Sequence, residues 1–196
     1  MHIEAGDIVG VTGKTGSGKT TLMNLILGLL EPSNGNIFYK NENIQDIKSE
    51  WQKNISFVSQ NIFLFDDTIE KNITFNFKDD FVDKNKIKEA IEVSHLSEKI
   101  KQLPQGLKTK VGNDGIMLSG GEKQRIAIAR AIYKDSNVLF LDEFTSAIDQ
   151  KTESSIIQKI QSNYKNKILI IIAHRSSTLS MCKNIWHLED GKIKKQ

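Results

Sequence analysis

The sequence of 196 residues has little cysteine and no long hydrophobic run. Its single cysteine, Cys182, excludes an internal disulfide framework and is typical of a reducing cytoplasm. The longest apolar stretches, Leu22–Leu30 and Ile168–Ala173, are far shorter than the roughly 20 residues that cross a bilayer. Glu4 and Asp7 interrupt the N-terminal residues, so no secretory signal is visible. These absences predict a soluble globular chain without a membrane span.

Charge of one sign is also lacking, because 27 basic residues face 24 acidic ones and the net charge is only +3. This balance gives no argument for nucleic acid as a partner. Arginine is scarce, with only Arg125, Arg130 and Arg175 among the basic residues. Two interpretations are open: a compositional bias toward lysine, or three positions that need a planar, forked donor. The contents of 38% hydrophobic and 26% charged residues exclude fibrous and disordered classes.

Short apolar runs alternate with segments of helical spacing along the chain. Strands are predicted at Ile8–Val11, Asn36–Lys40, Ile55–Val58, Val138–Leu141 and Ile168–Ile172, and helices at Lys19–Leu30, Gly120–Tyr133 and Gln150–Gln161. Asp149 is the predicted N-cap of the last helix. The Asp190-Gly191 pair predicts a terminal hairpin between Ile185–Leu188 and Lys192–Lys194. Strands that alternate with helices predict an α/β fold on a parallel sheet.

The region from Asp66 to about Leu103 has a different pattern. Charged residues are frequent there, and Ile87, Ala90 and Ile91 recur at helical spacing. We predict that this region is a separate, mostly helical insertion.

A phosphate-binding loop is predicted between the first strand and the first helix. The pattern G-x-x-x-x-G-K-[ST] is matched by Gly13, Lys14, Thr15, Gly16, Ser17, Gly18, Lys19 and Thr20. Glycines let backbone N–H groups surround phosphate oxygens, and the following helix N-terminus adds positive potential. Lys19 is expected to reach the β- and γ-phosphates, the Thr20 hydroxyl to coordinate Mg²⁺, and Thr21 to join the binding residues. The spacing and flanks disfavour a plain connecting turn.

Two acids follow the apolar strand Val138–Leu141. Asp142, at the strand's C-terminal end, is predicted to hold Mg²⁺ directly or through water. Glu143 is then placed to polarise the water that attacks the γ-phosphate. Alone the pair would be weak evidence, since paired acids often form a solvated edge, but with the phosphate loop it becomes strong.

A second helix start is unusual. Ser119 and Glu122 form a predicted capping box, which needs no ligand. Gly120 and Gly121 lie between them, although glycine costs helix stability and a capping box does not require it. Their amides at a helix N-terminus indicate a second anion site. One chain that binds one nucleotide does not need two such sites.

These motifs resemble those of the nucleotide-binding domains of ABC (ATP-binding cassette) transporters. Leu118–Gln124 (LSGGEKQ) is similar to the family's signature motif, and Gln60 lies where the family has its Q-loop. Ser146–Asp149 resembles the D-loop, and His174 resembles the switch histidine. Five motifs occur in the family's order, and the resemblance covers essentially the whole chain.

The resemblance implies a P-loop NTPase fold, with a RecA-like parallel sheet core and a helical signature subdomain. Residues 1–60 and 119–196 would form the core, and residues 61–118 the helical subdomain. ATP and Mg²⁺ are the implied ligands. Glu143, His174 and Gln60 are the implied catalytic residues, and Gln60 would also contribute to the metal site with Thr20 and Asp142.

Two such domains pair head to tail in this family, which gives the second anion site a purpose. Ser119, Gly120 and Gly121 of one copy would contact the γ-phosphate held by the other copy. The second domain could be identical or different in sequence.

The exporter branch of the family is favoured by two segments. Gln60–Ile69 is similar to the stretch after the Q-loop in exporters, and Thr109–Gly115 to their X-loop, although Lys110 and Asn113 stand where exporters usually carry acids. Phe63–Phe65 is either core or a docking surface for the membrane domain's coupling helices.

The expected function is therefore ATP hydrolysis in an exporter or flippase. The domain would act at the cytoplasmic face of the inner or plasma membrane, through a transmembrane domain outside this chain, and no nucleic-acid partner is expected. The alternatives are a soluble ABC-type ATPase that acts on nucleic acid or ribosomes, and an inactive regulatory cassette. The inactive regulatory cassette is disfavoured because Lys19, Asp142, Glu143 and His174 are all present.

The adenine-stacking aromatic of the family lies further upstream than the 12 residues that precede Gly13 here. The residues that usually follow the terminal hairpin in the family are also missing. We therefore expect a domain truncated at both ends, either a shortened domain or a fragment of a longer protein. Weak nucleotide affinity is expected as well, since one lost stacking contact costs roughly 1–3 kcal/mol.

Overall fold

The computed structural model describes residues 1–77, 81–173 and 175–195. His174, and residues 78–80 of the predicted helical insertion, lie outside the described residues. The chain divides into two compact units. The first comprises Met1–Phe57, Ser136–Leu141 and Asn166–Gln196, and the second comprises Val58–Asp135 and Asp142–Lys165. The assignment of residues 61–118 to a helical subdomain remains a prediction, since compact packing alone does not define one.

A six-stranded sheet has the order β4-β5-β6-β1-β7-β8. The strands are β1 Ile8–Thr12, β4 Ile55–Val58, β5 Val138–Asp142, β6 Ile168–Ile172, β7 Asn184–Glu189 and β8 Lys192–Lys195, and a separate ribbon contains β2 Phe38–Tyr39 and β3 Glu42–Asn43. β1 pairs in parallel with β6 and β7, and Val9 lies opposite Ile170 and Asn184. The predicted α/β fold on a mostly parallel sheet is confirmed.

Two tight hairpins depend on left-handed residues. β8 runs antiparallel to β7, and the turn residues Asp190 and Gly191 have φ of 48° and 72°. Positive φ at both positions is what a two-residue type I′ turn requires, and the predicted terminal hairpin is confirmed. The predicted strand Asn36–Lys40 is present but shorter, at β2 Phe38–Tyr39. Lys40 and Asn41 have φ of 50° and 68°, so the chain turns back there into β3.

Eight α-helices are found in the part of the chain that the structure describes. They are α1 Lys19–Ile26, α2 Lys48–Asn54, α3 Ile69–Thr74, α4 Lys84–Val93, α5 Ser97–Gln102, α6 Gly120–Lys134, α7 Gln150–Asn163 and α8 Ser176–Leu179. Two single 3-10 turns lie at Gly106–Lys108 and Asn113–Gly115. None of the sequence patterns predicted α2.

The predicted first helix is too long, because α1 ends at Ile26 rather than Leu30. Gly28 has φ of 70°, and its N–H donates to the Leu25 carbonyl at 3.1 Å. The Leu29 N–H donates to the Asn24 carbonyl at 2.8 Å. This pair of bonds is the Schellman motif, which ends the helix at this glycine.

The core of the first unit lies against the sheet. Val9 and Val11 of β1 pack with side chains from β5, β6 and β7, among them Phe140, Ile172 and Trp186. Helices α1 and α2 close this cluster with Met23, Ile26, Leu27 and Trp51. The Trp51 indole N–H donates to the Ile26 carbonyl at 2.8 Å, so a buried ring satisfies the last carbonyl of α1.

The second unit is mainly helical. α4 buries Ile87 and Ala90, as the spacing predicts, and Val93, whereas Ile91 of the same pattern is only half-buried. The Asp83 carboxylate accepts from the amides of its first turn. α6 begins at Gly120 as predicted and buries most of its apolar residues. α7 is capped by Asp149, which accepts from the Thr152 N–H at 3.0 Å, so this N-cap is confirmed.

No helix within residues 1–77, 81–173 and 175–195 is long and apolar enough to span a bilayer.

Candidate functional site

The phosphate loop follows β1 in the first unit and is packed too closely for side chains at its first glycine. A Cβ on Gly13 would lie 2.4 Å from the Leu188 carbonyl oxygen and 2.6 Å from the Ser17 hydroxyl. Gly18, at the N-cap of α1, has φ of 103°. The glycines are therefore fixed by close approach and by backbone conformation.

The start of α1 has the features of an anion site. Its N-cap has no side chain, no side chain caps the helix, and the first turn contains no acidic residue. The Lys19 ammonium donates to the carbonyls of Gly13 at 2.7 Å and Lys14 at 3.0 Å, so it lies against the loop. The Ser17 hydroxyl is buried and has no hydrogen-bond partner among the residues that the structure describes. An anionic ligand with several acceptor oxygens fits these groups.

The acidic pair and Gln60 lie in the second unit. Asp142 is the last residue of β5 and is half-buried. Glu143 follows it with φ of 44°, the left-handed region that non-glycine residues seldom adopt. The Gln60 amide donates to Glu143 Oε2 at 2.7 Å. The structure thus brings two of the three predicted catalytic residues together, and the third, His174, is not among the described residues.

The signature helix α6 begins with the predicted capping box. The Ser119 hydroxyl accepts from the Glu122 N–H at 3.3 Å, and Glu122 Oε2 accepts from the Ser119 N–H at 2.8 Å. Lys99 forms an ion pair with the same carboxylate at 2.9 Å. Burial opposes ionisation of Glu122, but the bonds from Lys99 and Ser119 outweigh it and lower the pKa of Glu122 below its ordinary value.

The glycine pair of α6 has a packing reason that the sequence analysis missed. A Cβ on Gly121 would lie 2.8 Å from the Ala147 carbonyl oxygen, and one on Gly120 would lie 3.3 Å from the Ala147 Cβ. The segment after Glu143 therefore packs directly on the first turn of α6. Gly120 itself is exposed, so the packing does not exclude a ligand there. Binding of a ligand by the glycine pair stays a prediction.

Gln124, the last residue of the segment that resembles the signature motif, is a buried polar residue for which the sequence predicted no role of its own. It is 3% exposed, its amide donates to the Ser146 hydroxyl at 2.7 Å, and its carbonyl accepts from the Ala147 N–H at 2.9 Å. Its spacing of four from Gly120 places both residues on one face of α6. That spacing was the sequence signal that could have indicated a contact of Gln124 beside the glycine pair.

Two of the three arginines bond to backbone carbonyls within the second unit. Arg125 donates to the His95 carbonyl at 2.9 Å. Arg130 donates to the carbonyls of Asn72 at 2.8 Å and Phe63 at 3.2 Å, and its guanidinium lies 4.4 Å from the centre of the Phe75 ring. Arg130 therefore uses its planar fork as the second interpretation requires. Arg175 is exposed.

The apolar segment after Gln60 divides between core and surface. Leu64 is fully buried, whereas Phe63 is 60% exposed and Phe65 is 37% exposed. Phe63 and Phe65 pack edge to face at 5.1 Å, and Phe65 also contacts Phe75 and Phe77. We call Phe63, Phe65, Phe75 and Phe77 the aromatic cluster.

Comparison with known proteins shows the family. The family model for the ABC transporter matches residues 1–146. An ATP-dependent lipid A-core flippase of Ralstonia nicotianae is 39% identical over 195 residues, which is 98% of this chain and 33% of that protein. ABC transporter B family member 29, chloroplastic, of Arabidopsis thaliana is 41% identical over 195 residues, which is 99% of this chain and 31% of that protein.

A solved structure agrees with these relatives. The structure of a bacterial Atm1-family ABC exporter with ATP bound has a TM-score of 0.91 and 33% identity, over 97% of this chain and 33% of that chain. The chain thus spans about a third of the length of the proteins it matches. Since the family model spans most of the sequence and the fold superposes on an exporter over nearly all of it, the chain belongs to the ABC transporter family, as a nucleotide-binding ATPase domain.

Proposed function

We propose that this chain binds and hydrolyses ATP as the nucleotide-binding domain of an ABC exporter or flippase. The observation that carries the proposal is the phosphate loop, where a buried Ser17 hydroxyl has no partner within the described part of the chain and the Lys19 ammonium lies against the loop. A triphosphate would satisfy both groups together with the uncapped start of α1. The exporter structure on which this chain superposes has ATP bound.

The triphosphate is assigned to the loop and to the first turn of α1. The proposed contacts are Gly13, Lys14, Thr15, Gly16, Ser17, Gly18, Lys19, Thr20 and Thr21. Thr20 and Thr21 are exposed at the start of α1, where hydroxyls and amides are accessible to a ligand. The Lys19 ammonium supplies the fixed positive charge of this set.

Mg²⁺ is proposed to bind at the oxygens of Thr20, Gln60 and Asp142. These are hydroxyl, amide and carboxylate donors, the hard oxygen ligands that Mg²⁺ prefers. When bound, Mg²⁺ neutralises phosphate charge. Among the described residues, no three histidines, cysteines or acids cluster to hold a metal on their own. This fits a metal held by few protein ligands and by the substrate's phosphates.

Glu143 is proposed as the base that accepts the proton of the attacking water. The Gln60 amide donates to one of its oxygens, which orients the carboxylate, and a carboxylate accepts several hydrogen bonds at once. His174 is proposed to contact the γ-phosphate, on the family resemblance alone. A base held within hydrogen-bond reach of its water accelerates the reaction about 10²- to 10⁴-fold.

A second nucleotide-binding domain is the proposed partner of the signature helix. The first amides of α6 have no acceptor within the helix, and Gly120 is exposed. Ser119, Gly120 and Gly121 would therefore cover the γ-phosphate that the other domain holds. The Ser119 hydroxyl accepts within its capping box, and its proton can still donate to a phosphate oxygen.

The aromatic cluster is the proposed docking surface for a membrane domain at the cytoplasmic face of the membrane. Exposed aromatic side chains in contact with one another are typical of an interaction surface. Arg130, bonded to the Phe63 carbonyl and stacked on Phe75, holds the cluster from within the unit. The chain spans about a third of the length of its relatives, so the occupant is assigned to membrane-embedded sequence outside it.

The sharpest test uses Glu143→Gln in an ATPase assay. We expect ATP binding to persist while hydrolysis falls roughly 100-fold or more, so that an ATP-bound dimer accumulates and is seen by light scattering. Glu92→Gln, an exposed acid of the second unit, is the matched control and should hydrolyse ATP normally. Wild-type rates in Glu143→Gln would remove the base assignment. Hydrolysis stimulated by nucleic acid would instead favour the soluble alternative.

A further inference from the structure

A single buried amide joins the signature helix to the segment that follows the proposed base. Gln124 Nε2 donates to the Ser146 hydroxyl at 2.7 Å, and Gln124 Oε1 accepts from the Ala147 N–H at 2.9 Å. The two polar atoms of the Gln124 amide thus bond to two consecutive residues. We call Gln124, Ser146 and Ala147 the amide clamp.

The clamp is reinforced by direct packing of backbone on backbone. The Ala147 carbonyl oxygen lies only 2.8 Å from the place where a Cβ on Gly121 would be. Ala147 is therefore held on the amide side by Gln124 and on the carbonyl side by the first turn of α6. Ser146 and Ala147 are both exposed, so burial of their own side chains does not fix them.

The clamp is connected to Glu143 by one turn of backbone. The Ser146 N–H donates to the Glu143 carbonyl at 3.2 Å, and the Ile148 N–H donates to the Thr145 carbonyl at 3.0 Å. Glu143 has φ of 44°, a strained region that persists only where the surroundings determine it. Fixing Ser146 therefore fixes the backbone conformation from which the Glu143 carboxylate projects toward the Gln60 amide.

The other end of the turn is anchored separately. The Thr145 hydroxyl donates to the buried Glu153 carboxylate of α7 at 3.2 Å, and Asp149 caps the same helix. These bonds hold the turn to α7. Gln124 is the side chain that bonds the turn to the signature helix, among the contacts that the structure describes.

We infer that Gln124 is a positioning residue for ATP hydrolysis, which holds the backbone of Glu143 in its reactive conformation from the signature helix of the same chain. This inference rests on the proposed function. It gives α6 a second task in the same molecule, in addition to the contact proposed for its glycines with a second domain. A positioning residue changes the turnover rate, and it leaves ATP affinity to the phosphate loop.

The test compares Gln124→Leu with the wild type in steady-state ATP hydrolysis. We expect kcat to fall roughly 10- to 100-fold, the size of effect that small displacements of a reacting group produce. KM for ATP should stay within about twofold, since the phosphate loop is unchanged. Gln124→Met, which has a similar length and no hydrogen-bonding amide, should lower kcat by a similar factor.

A control variant removes a similar bond elsewhere in the second unit. Ser155→Ala deletes the 2.8 Å bond between Ser155 and His95, which does not touch the clamp. It should keep wild-type kcat. Ser146→Ala, on an exposed residue, removes one half of the clamp and should lower kcat less than Gln124→Leu. The double variant should be no worse than Gln124→Leu alone, because the two act through one contact.

The outcomes separate the two proposals. If the wild type hydrolyses ATP and both Gln124→Leu and Ser146→Ala have the same kcat as the wild type, the role of Gln124 is overturned. The proposed function would then still stand. Absence of hydrolysis in the wild type would overturn both. If Gln124→Leu fails to fold, Ser146→Ala decides alone, and hydrogen exchange at the Ala147 amide should be faster than in the wild type.

Discussion

The phosphate loop and the signature helix both begin a helix with glycines, yet the two regions use glycine differently. At the start of α1 the N-cap glycine leaves the helix without a side-chain cap, and the buried Ser17 hydroxyl nearby has no partner among residues 1–77, 81–173 and 175–195. At the start of α6 a capping box satisfies the first amides that it can reach, and Gly121 admits a backbone carbonyl of the same chain. The first region has no cap of its own, whereas in the second a capping box and the Ala147 carbonyl occupy part of the helix start and Gly120 stays exposed. Similar glycine-rich sequences therefore need not indicate similar sites.

Removing the charge of the phosphate loop should give the largest effect. Lys19→Ala deletes the ammonium that lies against the Gly13 and Lys14 carbonyls. Since hydrogen bonds to charged groups contribute about 1.5–3 kcal/mol, ATP affinity should fall at least roughly 10- to 100-fold. Calorimetric titration with Mg-ATP measures this. Lys53→Ala, an exposed lysine of α2, is the control and should bind like the wild type, and equal affinities for the two variants would contradict the assignment.

Adding one methyl group at the signature helix should test the packing half of the comparison. Gly121→Ala places a Cβ at 2.8 Å from the Ala147 carbonyl oxygen, a backbone atom that cannot swing away. Overpacking of this kind costs about 1–3 kcal/mol in the free energy of unfolding. Gly120→Ala meets only a Cβ at 3.3 Å and should cost less. Urea unfolding of both variants distinguishes them, and equal midpoints would show that the segment yields.

Removing the cap of α6 should have a smaller effect on stability. Ser119→Ala deletes the acceptor for the Glu122 N–H, and Asp149→Ala deletes the equivalent acceptor at α7. Each N-cap is expected to contribute about 1 kcal/mol to the free energy of unfolding. If Ser119 also contacts a phosphate, Ser119→Ala should lower hydrolysis as well. Ser119→Thr, which keeps a capping hydroxyl, should restore stability in urea unfolding.

The smallest expected effect depends on pH and concerns His95. Burial and the charges of Lys159 and Arg125 lower the pKa of His95, and Asp149 opposes them weakly. The unfolded state then binds a proton more readily than the folded state, so the neutral ring stabilises the fold above a pH of about 6.5. This contribution is lost as the pH falls through the lowered pKa. His95→Asn should show a shallower loss of stability between about pH 7.5 and pH 5.5, and parallel curves would contradict it.

Much of the architecture could be predicted because its signals are local. The Asp190-Gly191 turn, the Asp149 N-cap and the Ser119 capping box each depend on residues within four positions of one another, and all three are confirmed. The end of α1 was missed although it is also local. Its Schellman motif at Gly28 competes with a leucine-rich pattern that favours a longer helix.

The functional contacts were harder to predict because they join distant residues. Gln60 and Glu143 are 83 positions apart, and their hydrogen bond follows from no pattern in either motif. Gln124 and Ala147 are 23 positions apart, and the sequence around α6 indicated only that a cap does not require the glycine pair. The group that packs against Gly121 is the Ala147 carbonyl, which lies in another segment of the chain.

By itself the sequence determined which groups this protein offers: a lysine and hydroxyls in a glycine loop, an acidic pair after a strand, and a capped helix with two glycines. Spacing within a few residues fixes those features, since turns, caps and loops are set by neighbouring dihedral angles and short hydrogen bonds. Only the tertiary structure decided how they are used. It packs Ala147 against Gly121 and bonds the Gln124 amide to the Ser146 hydroxyl in the same segment. It also places the Gln60 amide within hydrogen-bond distance of Glu143. Such contacts arise from the packing of separate segments, which no local pattern encodes.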